Sequence, residues 1–345
     1  MRTLHVTASR SYEIYIGLPL ADCGEAVRSA TGCSKAVVVS DSNVAPLYLQ
    51  TVLNSLHKAG IEAVGTVIPA GEASKCAEQY LQLLNVLVEE ELTRSDALVA
   101  LGGGVVGDLT GFTAATYLRG IAYVQIPTSL LAMVDSSVGG KTAIDLPGGK
   151  NLCGAFYQPW AVVCDPTVLD TLPADYYADG SAEVIKYGLL SDPELLTLLA
   201  KGEREDLIYR CCAIKRDIVQ QDEHDNGVRQ LLNLGHTVGH AFEQHSNFAL
   251  SHGRAVAAGM AVVTRAAIAC GDCDAAVLPS LMDALKASGL PTEATAPLSE
   301  LAALLRADKK RKGSAITLVV PEKMGRCVLK KIPIDGLEDY LRPGF

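Results

Sequence analysis

Ala97-Leu-Val-Ala-Leu-Gly-Gly-Gly-Val-Val-Gly-Asp108 decides the fold. Its first five residues are apolar and read as a buried strand, Ala97 to Leu101; glycines follow, and Val105 to Leu118 then carries a helical pattern. A strand that runs through glycines into a helix is the repeating unit of a parallel α/β sheet. Gly102, Gly104 and Gly107 have the G-x-G-x-x-G spacing. Glycine lets the backbone approach a pyrophosphate closely, and the first-turn N–H groups of the helix face it with a partial positive charge. Two features weaken the motif taken alone: it follows the fourth strand rather than the first, and no acidic residue ends a strand about 20 positions later. A tight structural turn explains the glycines as well.

Outward from this unit the same alternation continues. Tyr12 to Ile16, Lys35 to Val39 and Val64 to Pro69 upstream, and Tyr123 to Pro127 and Trp160 to Cys164 downstream, are short β-branched runs that read as strands. Val44 to Lys58 and Ser74 to Glu90 read as helices between them, with Ser74 as an N-cap. Beyond Cys164 the pattern turns helical: Pro193 to Leu199, Leu207 to Gln220, Arg229 to Gln244, Val256 to Ala269 and Pro279 to Ala287. Only Ala315 to Val320 and Arg326 to Ile332, around Lys323-Met-Gly325, alternate there like a hairpin. The predicted fold class is α/β. An N-terminal Rossmann-like, mostly parallel sheet domain (residues 1–170) precedes a largely α-helical domain (residues 171–345), the boundary falling within 165–175.

Composition agrees with two domains, because 345 residues exceed one ordinary core at ~150 residues per domain. With 49% hydrophobic and 20% charged residues the chain is a globule, and a disordered majority is excluded. A net charge of -9 with one basic run, Lys309-Lys-Arg-Lys312, argues against nucleic acid as a partner. Met1-Arg-Thr-Leu-His-Val lacks the apolar core of a signal peptide, and the apolar stretch Ala255 to Cys270 is broken by Arg265, so the expectation is a cytoplasmic protein with no membrane partner. The ten scattered cysteines read as free, mostly buried thiols, and the lone Cys270-Gly-Asp-Cys273 has neither a second pair nor a preceding strand to make it a redox or metal motif.

Leu231-Leu-Asn-Leu-Gly-His-Thr-Val-Gly-His240 carries the strongest chemical signal. His236 and His240 are four apart and share a helix face, His252 can return to the same cavity after a short connection, and Glu183 can supply a carboxylate. Two imidazoles and one carboxylate form a catalytic zinc set that keeps one position open. Thr237 stands where the His-Glu-x-x-His of zinc proteases has its general base, which excludes a protease. A lone histidine on such a helix would more often be an ordinary hydrogen-bonded core residue.

The densest polar stretch runs from Pro127-Thr-Ser129 through Asp135-Ser-Ser-Val-Gly-Gly140-Lys141 to Gly148-Gly-Lys150-Asn151. Lysines and an aspartate beside glycine pairs suit a phosphorylated, hydroxyl-rich ligand; a glycine-rich hairpin with surface lysines is the plainer alternative. Ser40-Asp41-Ser-Asn43 after a strand could hold a ribose, and Pro69-Ala-Gly71-Glu72-Ala-Ser-Lys75 offers an acid and a cation. Lys186, Lys215, Arg229 and Asn233 add polar groups on the predicted helices, where salt-bridged helix faces would be their ordinary role.

Taken together these blocks resemble the 3-dehydroquinate synthases, a family of sugar-phosphate cyclases, along nearly the whole chain. The matching stretches are Gly102 to Asp108, Asp135 to Lys141, Gly148 to Asn151, Ala155-Phe-Tyr-Gln-Pro159, Ala182-Glu-Val-Ile-Lys-Tyr-Gly188 and Asn233 to His240. The resemblance implies a dehydroquinate synthase-like fold with NAD and Zn2+ or Co2+ as cofactors. It puts the metal on Glu183, His236 and His252 and leaves His240 to assist proton transfer. Contacts to NAD fall on Asp41, Asn43, Gly71, Glu72, Lys75, Gly103, Gly104, Val105, Asp108, Thr128, Ser129, Lys141, Lys150 and Thr171. Substrate contacts fall on Asp135, Lys141, Lys150, Asn151, Lys186, Lys215, Arg229, Asn233, His240 and one of Lys309 or Lys310. Of these, Lys141, Lys186, Arg229, Asn233 and His240 form the catalytic set, and Arg119 is expected to reach the phosphate from the neighbouring subunit of a homodimer.

The implied reaction converts 3-deoxy-D-arabino-heptulosonate 7-phosphate to 3-dehydroquinate and phosphate in the shikimate pathway, towards chorismate and the aromatic amino acids. A hydroxyl is oxidised, phosphate leaves by β-elimination, the carbonyl is reduced again, and ring opening and aldol closure finish the carbocycle. A zinc-dependent polyol dehydrogenase is the rival enzyme, but a simple polyol needs neither Lys141, Lys150 nor Arg229. An inactive metabolite-binding relative would be expected to have lost a metal ligand. Three departures from the family pattern are Ser129 for Thr, Ser181 for an aliphatic residue, and Arg254 for the usual Glu after His252-Gly.

Overall fold

In a computed structural model of the chain, residues 1–306 and 314–345 are described, and they form two compact units. The first unit comprises Met1–Leu172 with Lys215–His224, the second Pro173–Ile214 with Asp225–Phe345.

The first unit runs β1 (Arg2–Val6), β2 (Tyr12–Ile16), α1 (Cys23–Thr31), β3 (Lys35–Asp41), α2 (Ala45–Lys58), β4 (Glu62–Ile68), α3 (Ala77–Glu89), β5 (Ala97–Gly102), α4 (Gly104–Thr116), β6 (Ala122–Pro127), β7 (Lys141–Leu146), β8 (Gly149–Phe156) and β9 (Ala161–Cys164). Seven strands form one sheet in the order β1-β2-β9-β6-β5-β3-β4. All neighbours are parallel except β1 and β2. Strands β5, β6 and β9 are buried at every residue, as continuous apolar runs covered by helices on both faces should be, whereas edge strands β1 and β4 alternate. Val37, Val39, Leu98, Ala100, Leu109 and Tyr123 lie in the core beneath α3 and α4. Strands β7 and β8 make a separate antiparallel hairpin over the glycine-rich stretch, with Lys141 at its start and Lys150 and Asn151 on its second strand. Lys215–His224 is tied to this unit by Thr7 N–H donating to Gln220 Oε1 at 2.8 Å and Gln158 Nε2 donating to Glu223 at 2.8 Å.

The second unit holds α5 (Ala174–Leu190), α6 (Glu194–Lys201), the start of α7 (Arg204–Gln221), α8 (His236–His245), α9 (His252–Ala269), α10 (Val277–Ala287), α11 (Leu298–Arg306), the hairpin β10 (Ala315–Lys323) and β11 (Arg326–Pro333), and α12 (Leu337–Leu341). Its core joins Val238 and Phe242 of α8, Ala255, Val262 and Ala266 of α9, Leu301 of α11 and Leu318 and Val320 of β10. No described helix is long and apolar enough to cross a membrane.

Three of the expected helices are bounded differently, and β1, α1, α5, α11 and α12 have no counterpart in the sequence expectation. Arg229 to Gln244 is not one helix: a 3-10 turn covers Val228–Asn233, and Gly235 at φ 78 turns the chain before α8 starts at His236. Ser74 does not cap a helix; its hydroxyl donates to Pro69 O at 2.6 Å within a 3-10 turn, and α3 starts at Ala77. The last helix over the Ala255 stretch begins four residues before Val256, at His252. Cys270 and Cys273 are both free thiols, and burial together with Asp274 and Asp272 pushes the Cys273 pKa up to about 11, away from reactivity.

Candidate functional site

Parallel strands end on one edge, and the loops beyond their carboxyl ends are where α/β sheets bind ligands. Asp41 and Asn43 follow β3, Gly71, Glu72 and Lys75 follow β4, Gly103 and Gly104 follow β5, Thr128 and Ser129 follow β6, and Thr171 follows β9. All lie at the same edge because β3, β4, β5, β6 and β9 are mutually parallel. Thr128 N–H donates to Gly102 O at 2.9 Å, which joins the loops after β5 and β6. The glycines do two jobs. A Cβ on Gly107 would come within 2.6 Å of Gln125, and one on Gly111 within 3.2 Å of Tyr123, so both let α4 lie tightly on β6. Gly103 and Gly104 leave the start of α4 open: a Cβ on Gly104 would intrude to 3.2 Å from Ser136 Oγ. The first-turn N–H groups of α4, from Gly104 and Val105 onward, have no intrahelical acceptor, which fits a phosphate-bearing dinucleotide.

Lys75 is the hub of this edge. Lys75 is 4% exposed, and its ammonium lies 2.9 Å from Asp108, 2.6 Å from Asn151 Oδ1 and 3.4 Å from Glu72. Burial alone would lower its pKa, but the Asp108 and Glu72 carboxylates outweigh burial and hold it above the usual lysine range. The hairpin follows from the same contacts: Asn151, at φ 56, donates its N–H to Asp145 Oδ1 at 2.7 Å, and Lys150 Nζ lies 4.0 Å from Glu72. Asp135 sits in a π-helical turn, Ala132–Ser136, and its side chain accepts from Lys215 Nζ at 2.6 Å. Such turns are frequent at functional sites. Lys141 is exposed at the start of β7, and Arg119 is exposed at φ 69 in the turn after α4.

The second unit gathers the histidines. Glu183, fully buried on α5, places Oε1 3.6 Å from His236 Nε2 and 3.3 Å from His252 Nε2. Ligands bound at 2.0–2.2 Å in a tetrahedron lie roughly 3.3–3.6 Å from one another, which both Glu183–histidine distances match, and the ligand atoms of all three residues lie within 4.8 Å of one another. Lys186 Nζ holds the other oxygen, Oε2, at 2.5 Å. His236 Nδ1 lies 3.0 Å from Leu234 O, which leaves Nε2 to face Glu183. The rings of His240 and His236 are 5.6 Å apart, and His240 also belongs to a second group of possible ligands, with Glu243 and His252. Burial works against a charged His252, but hydrogen bonds to Glu183 and Glu243 prevail and push its pKa up to about 10. Arg229 is 1% exposed, and Asn233 Nδ2 donates to Gln230 O at 3.1 Å in the turn before α8.

Glycines explain why α8 and α9 can bring these side chains together. A Cβ on Gly259 would sit 2.1 Å from Gly235 O, one on Gly235 2.7 Å from Val256 O, and one on Gly239 3.0 Å from Ala255 O. At Gly253 a Cβ would meet the backbone of Asp179 at 2.3 Å, which sets α9 against α5. Asp179 then accepts from Ser251 Oγ at 2.6 Å and from Arg254 N–H at 3.1 Å, fastening the turn that starts with His252. The Arg254 guanidinium points to Asp175 at 2.9 Å and to Gly289 O at 3.2 Å. Sequence reasoning missed Glu243 and Asp179. The signal for Glu243 was its position seven after His236, on the face that already carries His236 and His240. Lys309 and Lys310 lie outside the described residues.

The fold first defines a class. The structure of 2-epi-5-epi-valiolone synthase from Streptomyces hygroscopicus subsp. jinggangensis 5008, with NAD+ and Zn2+ bound, matches with a TM-score of 0.87 at 25% identity, over 99% of this chain and 98% of that one. The chain is thus an α/β protein of the dehydroquinate synthase-like fold, a Rossmann-like sheet unit followed by a largely helical one. The description "3-dehydroquinate synthase N-terminal" matches residues 65–179 and "3-dehydroquinate synthase C-terminal" residues 180–311. Curated 3-dehydroquinate synthases agree: that of Streptococcus suis (strain 05ZYH33) is 42% identical over 334 residues, 94% of each chain, and that of Pseudoalteromonas translucida (strain TAC 125) 44% identical over 344 residues, 96% of this chain and 95% of that one. This chain belongs to the 3-dehydroquinate synthase family.

Proposed function

We propose that the protein converts 3-deoxy-D-arabino-heptulosonate 7-phosphate to 3-dehydroquinate and phosphate, using catalytic NAD and a divalent metal, Zn2+ or Co2+, and that it works as a cytoplasmic homodimer. The observation that carries the reading is the cluster in which Glu183 Oε1 lies 3.6 Å from His236 Nε2 and 3.3 Å from His252 Nε2, two imidazoles and a carboxylate in a family whose members are 3-dehydroquinate synthases. Those three residues are our metal ligands. The 1–170 region is the NAD-binding domain and 171–345 the metal- and substrate-binding domain.

When bound, the metal supplies Lewis acidity at a substrate hydroxyl and the dinucleotide supplies a hydride acceptor. The residues of the chain bind, orient and move protons. Lys186, 2.5 Å from Glu183 Oε2, keeps that carboxylate turned so that Oε1 faces the histidines. Arg229, Lys150 and Lys141 are the cations for the phosphate and carboxylate of the substrate, Asn151 and Asn233 bond its hydroxyls, and Lys215 orients the Asp135 carboxylate at 2.6 Å. His240 takes a proton from the substrate and returns it. The α4 N-terminus and the loops holding Asp41, Glu72 and Thr128 bind the dinucleotide.

Purified protein given the heptulosonate phosphate tests the reading. Phosphate should accumulate over many turnovers while the nicotinamide absorbance shows at most a small transient. Stoichiometric NADH from a phosphate-free polyol would replace the cyclase with a dehydrogenase.

A further inference from the structure

We infer that Glu243 is a positioning residue for the metal centre: it accepts the Nδ1 proton of His252 and so presents Nε2 to the ion. The inference rests on the proposed ligand set Glu183, His236 and His252. His252 divides its two nitrogens between two carboxylates, Nε2 lying 3.3 Å from Glu183 Oε1 and Nδ1 3.5 Å from Glu243 Oε2. An imidazole that gives the Nε2 lone pair to a metal carries its proton on Nδ1, and that proton needs an acceptor which also fixes the ring plane. His236 has such an acceptor in Leu234 O, 3.0 Å from its Nδ1. For His252, Glu243 is the corresponding group, and as a carboxylate it makes the ring a more basic ligand than a carbonyl would.

Its placement supports this. Glu243 is 3% exposed although it lies in the last turn of α8, and a buried carboxylate is costly without a polar partner. It follows His236 and His240 by seven and three residues on one helix, so the same face carries a ligand, the proposed proton carrier and the carboxylate. Glu243, His240 and His252 have ligating atoms within 4.8 Å of one another, which also makes them a possible second ion site. Nδ1 of His252 can hold a proton or an ion, and Nε2 facing the fully buried Glu183 assigns the ion to the other side of the ring.

The test is metal affinity by chelator competition, with the visible spectrum of the Co2+ form and the thermal midpoint of the stripped protein recorded for each variant. Glu243→Ala should weaken binding roughly ten- to a hundredfold and alter the Co2+ spectrum modestly. Glu243→Gln keeps an oxygen acceptor and the shape, and should recover most of the affinity. Phe242→Leu, a neighbouring core change, should lower the thermal midpoint with the dissociation constant unchanged. If both Glu243 variants bind within about twofold of wild type, the inference fails. It also fails if Glu243→Gln abolishes binding as completely as Glu183→Gln, because Glu243 is then a ligand. Retention of metal by Glu183→Gln would instead overturn the ligand set itself, whatever the Glu243 variants do.

Discussion

The Lys75 ammonium lies 2.6 Å from the Asn151 side-chain oxygen while it pairs with Asp108 at 2.9 Å. A residue assigned by resemblance to the dinucleotide thus also holds one assigned to the substrate, so the loop after β4, the start of α4 and the β7–β8 hairpin share one buried cation. Lys75→Met would leave Asp108 uncompensated. Breaking a buried pair costs 3–5 kcal/mol, but Asp108 retains 20% side-chain exposure, so a loss of about 2–3 kcal/mol is expected, with NAD affinity falling as well. Denaturant unfolding and dinucleotide titration check this. A Lys75→Met/Asp108→Asn double variant should be more stable than Lys75→Met alone, and additive losses would show that the pair is not coupled.

His240 and His252 should separate under substitution. If the ion rests on Glu183, His236 and His252, His252→Ala loses metal, whereas His240→Ala keeps near wild-type content and loses roughly 10²- to 10⁴-fold in turnover, the usual worth of a general acid–base group. Equal metal loss in both variants would point to the His236/His240 pair as ligands instead.

Close backbone packing of α8 on α9 makes a different prediction. Gly259→Ala would force a Cβ to 2.1 Å from Gly235 O, so one of the helices must shift. A loss of about 1–3 kcal/mol is expected. Because His236 and Glu243 are on one helix and His252 on the other, metal affinity should fall too. Unchanged affinity in a clearly destabilised variant would mean that the helix spacing does not set the ligand geometry.

Much of this was legible and some was not, for physical reasons. The buried strands β3, β5, β6 and β9 announced themselves as apolar runs, and the histidines by their spacing. Strand β1 buries only Leu4 and Val6 and carries Arg2, Thr3 and His5 between and before them, so it lacks the β-branched or apolar run that marked the other strands. Helix α5 is buried at every position from Ala178 to Leu190, so it has no polar face to reveal a helical period, although it carries Glu183 and Lys186. Gly235 broke a pattern that otherwise reads as helix from Arg229 onward, because a left-handed turn leaves no hydrophobic signature. Glu243 and Asp179 look like surface acids until the fold buries them against His252 and the start of α9.

Asp272, in the Cys270-Gly-Asp-Cys273 turn, accepts from Lys330 Nζ at 2.6 Å and from Tyr340 Oη at 2.8 Å. The Lys330 hydrogen bond lowers its carboxyl pKa, with Tyr340 adding to it. A depressed folded-state pKa stabilises the fold above the unfolded carboxylate pKa, about 3.9, and that contribution is lost as pH falls through the folded value. Because the pair is partly exposed, Asp272→Asn should cost only about 0.5–1 kcal/mol at pH 7. Thermal midpoints of variant and wild type should converge in strong acid. A difference that stays constant with pH would assign the effect to packing.

Arg119 yields the prediction that reaches beyond one chain. It is exposed, and it follows Leu118 in a turn where both residues have positive φ, 49 and 69, before Gly120 at φ 118. Residues with side chains avoid that region unless the surroundings impose it. If Arg119 completes the phosphate site of the partner subunit, Arg119→Ala and Lys150→Ala homodimers should both be inactive. A mixed dimer then keeps one site with its own Lys150 and the other chain's Arg119, while its second site lacks both. Mixing the two variants and allowing subunits to exchange should therefore restore activity in the fraction of molecules that are mixed. If exchange is demonstrated with distinguishable tags and no activity returns, Arg119 acts within its own chain.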